Sequence, residues 1–159
     1  MCIRDRITLA SKKSGLSKDY ISQSDEQLKS AKYQDNNDDR LFIAEAKVIK
    51  DLAKNSCVIV GRCADYILKD NKDTIKVFLY STPDAKTKRA TKYYGLSKDT
   101  ALKTINKINK ERAKHYKYYT NRDWQDYTNY DLVLNTDILG VEGSAKLIED
   151  FVKNKNNNI

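Results

Sequence analysis

The chain has 159 residues, enough for one domain with a sizeable core. No apolar run approaches the ~18 residues of a membrane-spanning helix, and no secretory leader precedes the first charged segment, so no membrane partner is expected. The net charge of +8 favours an anionic partner, a nucleotide or a nucleic acid, although Lys and Asn are spread along the whole chain.

The three cysteines, Cys2, Cys57 and Cys63, are odd in number and have no CxxC spacing. They read as reduced, mostly packed thiols of a cytoplasmic protein. Met1 to Arg6 (MCIRDR) joins poorly to the residues after it and reads as non-native, with true residues missing ahead of Ile7. From Ile7, ITLASKKSGLSKDYI suggests a short helix stopping at Gly15 and a new one capped by Ser17. Residues 22–40 are polar and acidic, a solvated connector or fraying helix rather than a substrate flap.

Leu41 to Lys54 is helical by pattern, with Leu41, Ala44 or Glu45, Val48 and Leu52 at turn spacing. The run Cys57-Val58-Ile59-Val60 then suits a strand buried on both faces of a parallel sheet. Ligands of such sheets bind beyond the carboxyl ends of the strands, where Gly61 and Arg62 fall. A guanidinium there can grip a phosphate or carboxylate through two parallel hydrogen bonds; the alternative is a turn glycine followed by a solvated arginine. Asp65 could hold a metal-bound water or the base of a nucleotide, or simply cap its helix, Cys63 to Lys69.

Ile75 to Tyr80 reads as a second strand, and Pro83 opens a helix that ends at Gly95. Ser97 caps a long helix reaching about Tyr119, on which Ala101, Ile105, Ile108, Arg112, Tyr116 and Tyr119 share one face. Arg112 thus stands on the apolar stripe, either snorkelling or reaching into a polar site. Arg89 is one of several basic residues on the preceding helix, where a solvated face is the default. Aromatic and basic residues interleave in YYTNRDWQDYTNYDLVLNT; packing over the helix end is the preferred reading, stacking on single-stranded nucleic acid the other. Tyr130 to Asn135 reads as a third strand, Val141 to Val152 as a closing helix, and residues 153–159 as a disordered tail. His115 is the sole histidine and no GxSxG or HExxH occurs, so neither serine–histidine chemistry nor a metal site has support.

This order of elements describes an α/β protein with a parallel sheet. The wording of CVIVGRCADYIL, KVFLY, GLSKDTA and NKERAKHYKYYTNRDWQDYTNYDLVLNT resembles the cytidylate kinase-like family of P-loop kinases, from about Ile7 to Val152. The resemblance implies a three-layer P-loop kinase-like parallel sheet with helices on both faces. It implies ATP and Mg²⁺ as cofactors and a nucleoside monophosphate as acceptor. Arg62 matches the arginine that contacts the monophosphate in related kinases, and Arg89 and Arg112 match lid-region arginines that contact transferring phosphates. Three arginines converging at the sheet's carboxyl edge would form the clamp that phosphoryl transfer needs, and the attacking phosphate oxygen is already anionic, so no base is required.

Three departures accompany the resemblance. Val60 stands where related kinases have Asp before Gly-Arg, and Asn109 where the lid motif has an acid. The third is larger: none of the five glycines, Gly15, Gly61, Gly95, Gly140 and Gly143, opens a phosphate-cradling loop. In kinases of this fold that loop follows a first strand lying between those matching 57–60 and 75–80, so that strand is expected to be missing here. The expected function is transfer of the ATP γ-phosphate to CMP or a similar nucleotide, by a protein seen as a fragment without its ATP-binding loop. A basic nucleic-acid-binding module, which would show steep salt dependence, and a catalytically degenerate nucleotide-binding homologue are the alternatives.

Overall fold

The computed structural model describes residues 36–157 together with Ser11, Lys12, Gly15, Ser17 and Asp19. The expectations for residues 1–6 and for most of the stretch up to 35 lie outside the described residues. The Gly15 stop is within them: its N–H donates to the Ser11 carbonyl (3.0 Å) at a φ of 72°. In order the elements are α1 (Asn36–Leu52), α2 (Ala64–Ile67), β1 (Val77–Tyr80), α3 (Pro83–Tyr94), α4 (Lys98–Thr120), β2 (Leu132–Asn135) and α5 (Thr136–Asn157). The chain divides into two compact units, the first ending at Lys72 and resuming over Glu111–Trp124, the second formed by Asp73–Lys110 and the chain from Gln125.

In the first unit, α1 begins within the expected polar connector. Asp38 and Asp39 in its first turn and Lys50 in its last complement the helix dipole. Leu41, Ala44, Val48 and Ile49 recur at the spacing of one helical face and are all buried. Glu45 lies among them on that face and is buried as deeply as they are. At the far end of the unit, Phe42 stacks on Tyr119 with centroids 3.9 Å apart, and His115 meets Tyr119 edge-on. The aromatic residues of this part of the 112–130 segment therefore serve packing.

The expected buried strand at 57–60 is corrected. Those residues lie outside the sheet that the described residues form, and Val58 and Val60 are 75% and 70% exposed. A parallel strand needs neighbours to complete its backbone hydrogen bonds, and among the described residues β1 and β2 pair with each other. Cys57 is exposed as well, contrary to the packed thiol expected, whereas Cys63 is buried.

The second unit holds the parallel pair β1–β2, in the register Val77 to Leu132 through Tyr80 to Asn135. Asp131 fixes its start, accepting the Lys76 N–H (2.7 Å) while its own N–H donates to the Lys76 carbonyl (2.8 Å). The Thr82 side chain caps α3 by accepting from the Ala85 N–H, Pro83 occupies the first turn, and Gly95 ends the helix in the left-handed region. The Ser97 hydroxyl accepts the Thr100 N–H at the start of α4, as its sequence predicts. α5 is kinked at Gly140 (φ 66°, ψ −171°), where a side chain would be strained. Helix continues through residues expected to be disordered, as far as Asn157, because Lys153 pairs with Glu149 and Lys155 Nζ donates to the Thr74 carbonyl.

Candidate functional site

The first unit builds its polar site on the turn after Val60. Gly61, Arg62 and Cys63 all occupy the left-handed region, with φ of 73°, 56° and 55°. Such a conformation costs about 1–2 kcal/mol per non-glycine residue, so the surrounding contacts must hold it. The Ala64 N–H closes the turn onto the Gly61 carbonyl (3.2 Å), and the Tyr66 and Ile67 N–H groups both donate to the Cys63 carbonyl.

From this turn the Arg62 guanidinium reaches α1, with Nε 3.6 Å from Glu45 Oε1. The side chains are 15% and 1% exposed, so Arg62 is not the solvated arginine of the alternative reading. Asp65, half-buried in the first turn of α2, accepts the Tyr116 hydroxyl at 2.6 Å. Burial above all, and then the Arg62 charge, pushes the His115 imidazole down to about 4, so it is neutral at physiological pH. Burial, reinforced by the Asp65 carboxylate, pushes the Cys63 thiol up to about 12 and removes it as a nucleophile. The Arg122 guanidinium lies 5.2 Å from the centroid of the Tyr66 ring.

Arg112 corrects an expectation. It is exposed, and the buried side chain of that helical turn belongs to its neighbour Glu111, whose Oε1 lies 3.6 Å from Lys114 Nζ. A guanidinium with a free path to water keeps its hydration, and the buried face passes through the adjacent residue instead.

The second unit places Arg89 beside a cavity of about 400 Å³ at the carboxyl ends of β1 and β2, which Lys86, Ser81 and Thr136 also line. Asp137 ties the two strand ends together, accepting the Ser81 hydroxyl (2.6 Å) and the Thr82 N–H (2.7 Å). Those two hydrogen bonds, chiefly the first, hold its carboxyl below the usual value. Sequence reasoning missed Glu45, Tyr116, Lys86 and Asp137. Glu45 alone carried a signal, a charge on the apolar face of a helix.

The described residues contain no group of three His, Cys, Asp or Glu side chains able to hold a metal ion. The most deeply buried carboxylates, Glu45 and Glu111, face Arg62 and Lys114. No helix among the described residues is long and apolar enough to cross a membrane.

A left-handed Gly-Arg turn with a deeply seated guanidinium, and a cationic cavity at the carboxyl ends of parallel strands, define an α/β chain with two places suited to anionic groups. The profile of the cytidylate kinase-like family matches residues 2–138, and the chain belongs to that family. It is 29% identical over 107 residues to cytidylate kinase of Methanocaldococcus jannaschii, covering 65% of this chain and 60% of that protein. With cytidylate kinase of Methanococcus aeolicus it shares 27% identity over 128 residues, 79% of this chain and 71% of the other. The crystal structure of an uncharacterized protein from Eubacterium ventriosum superposes with a TM-score of 0.65 at 29% identity, over 80% of this chain and 70% of that one. The match thus spans less than two thirds of the M. jannaschii protein.

Proposed function

We propose that this chain is the acceptor-binding part of a nucleoside monophosphate kinase that moves the ATP γ-phosphate to CMP or a similar nucleotide. The observation that carries the reading is Arg62, held in a left-handed turn after an apolar run and seated by its contact with Glu45. A charged donor fixed in this way keeps its direction when a phosphate arrives, so little reorganisation is needed at the moment of transfer. In this reading Arg62 grips the acceptor phosphate, whose oxygen attacks without a protein base. Arg89, with Lys86, balances phosphate charge at the cavity. Arg112 acts from solvent, as an exposed cation on the long helix. When bound, ATP supplies the phosphoryl group.

No glycine-rich loop to cradle ATP occurs in the sequence, and the reading places that loop on a strand outside it. The position of the 57–60 run outside the β1–β2 sheet, with Val58 and Val60 exposed, supports this part of the proposal.

Calorimetric titration tests it. CMP should bind, Arg62→Ala should weaken binding roughly tenfold or more, and ATP should bind no tighter than about millimolar. Cooperative unfolding together with tighter ATP binding overturns the missing-loop part. Binding of single-stranded oligonucleotide with a steep salt slope, retained in R62A without CMP binding, overturns the kinase reading.

A further inference from the structure

We propose that Glu45 is the positioning residue for Arg62: its buried carboxylate on α1 sets the direction in which the guanidinium meets the acceptor phosphate. The inference rests on the reading of Arg62 as the phosphate-binding residue and adds a residue to it. Three observations carry it. Glu45 is buried among Leu41, Ala44, Val48 and Ile49, where an ionised carboxylate persists only beside a compensating charge. Arg62 Nε lies 3.6 Å from Glu45 Oε1, with both side chains largely withdrawn from water. The backbone that delivers Arg62 is left-handed at three successive residues, a geometry that does not persist without contacts holding it.

The contact at Nε is one of charge, longer than a hydrogen bond. The guanidinium is planar and rigid, so a buried negative charge held on its Nε side biases the direction of the whole fork. The Arg62 charge is also felt by His115 on α4 and by Cys63 beside it in the turn. Both are neutral at physiological pH, and the nearby Asp65 carboxylate accepts the Tyr116 hydroxyl. Glu45 is a buried carboxylate in contact with Arg62.

The test compares CMP with cytidine, which lacks the phosphate, for the wild-type chain, R62A, E45Q and E45D. Glu45→Gln keeps size and burial and removes the charge. Its expected result is CMP binding weakened roughly tenfold with cytidine binding unchanged, and partial recovery in E45D. A residue that only supports the fold would weaken both ligands together, and that result overturns the inference. If R62A leaves the CMP-to-cytidine preference unchanged, the underlying reading of Arg62 fails. If R62A removes the preference and E45Q does not, the reading stands and the role of Glu45 fails. A cycle of E45Q, R62Q and the double variant in urea unfolding gives a readout independent of ligand. Coupled effects are expected, and strictly additive ones overturn the pair. Should E45Q not fold, E45D, whose shorter carboxylate lies farther from Nε, is expected to weaken CMP but not cytidine, and equal weakening of both overturns the inference.

Discussion

The Tyr116 hydroxyl donates to the Asp65 carboxylate across 2.6 Å, joining the long helix to the turn that carries Arg62. Tyr116 is buried, so the bond is sheltered from competition with water. Tyr116→Phe removes this donor while keeping the ring. A hydrogen bond to a charged group is worth about 1.5–3 kcal/mol, and half-burial of Asp65 places the loss near the lower end. The expected result is a melting temperature about 3–6 °C lower, followed by circular dichroism.

His115 predicts an acid-side loss of stability. Its folded value is about 4 against an ordinary 6.5, so the unfolded chain binds its proton first as pH falls. Stability from this group is complete above about pH 6.5, declines between 6.5 and 4, and levels off below that. The shift caps the loss at about 3 kcal/mol. Urea unfolding at several pH values should show the slope, and His115→Gln should abolish it.

Asp137 acts at lower pH. Hydrogen bonds from Ser81 and Thr82 lower its folded value below the ordinary 3.8, so its stabilisation is present above 3.8 and is lost as pH falls through the folded value. Asp137→Asn should flatten that part of the acid limb in unit two, read by the NMR shifts of Ser81 and Thr82. An unchanged titration in the variant refutes the assignment.

Thiol labelling should separate the two described cysteines. At pH 8 a maleimide or iodoacetamide should modify the exposed Cys57, while Cys63, buried and pushed up to about 12, stays unmodified until the chain unfolds. Peptide mass spectrometry reads both sites in one sample. Modification of Cys63 at the rate of Cys57 would contradict the packing.

Two substitutions of apolar residues should differ in kind. Ile49→Ala empties a fully buried position on α1 and should cost about 2–5 kcal/mol in urea unfolding. Val58→Lys replaces a side chain that is 75% exposed in this chain and should shift stability by about 0.5 kcal/mol or less. An equal loss from both would mean that the 57–60 run is buried.

Much of the local structure was legible in the sequence by itself. The helix start at Pro83, the cap at Ser97, the stop at Gly95 and the apolar face of α1 depend on bonds and spacings within a few residues, which the chain order fixes, whereas the last helix starts at Thr136, ahead of the expected Val141, and only kinks at Gly140. The same local logic set Gly61 and Arg62 at a turn, and the family motifs around them were legible in the wording. Tertiary structure alone decided which charges are buried and what they meet. Arg112 lies on the predicted stripe yet is exposed, because its solvation outweighs the helical period; Glu45 lies on an equally apolar face yet is buried, because Arg62 arrives from another element to pair with it. The 57–60 run has the composition of a buried strand and stays outside the sheet, because a strand's backbone groups are satisfied only by neighbours that its own residues cannot specify. Periodicity reports the face a residue occupies, and the partner across that face comes from sequence far away.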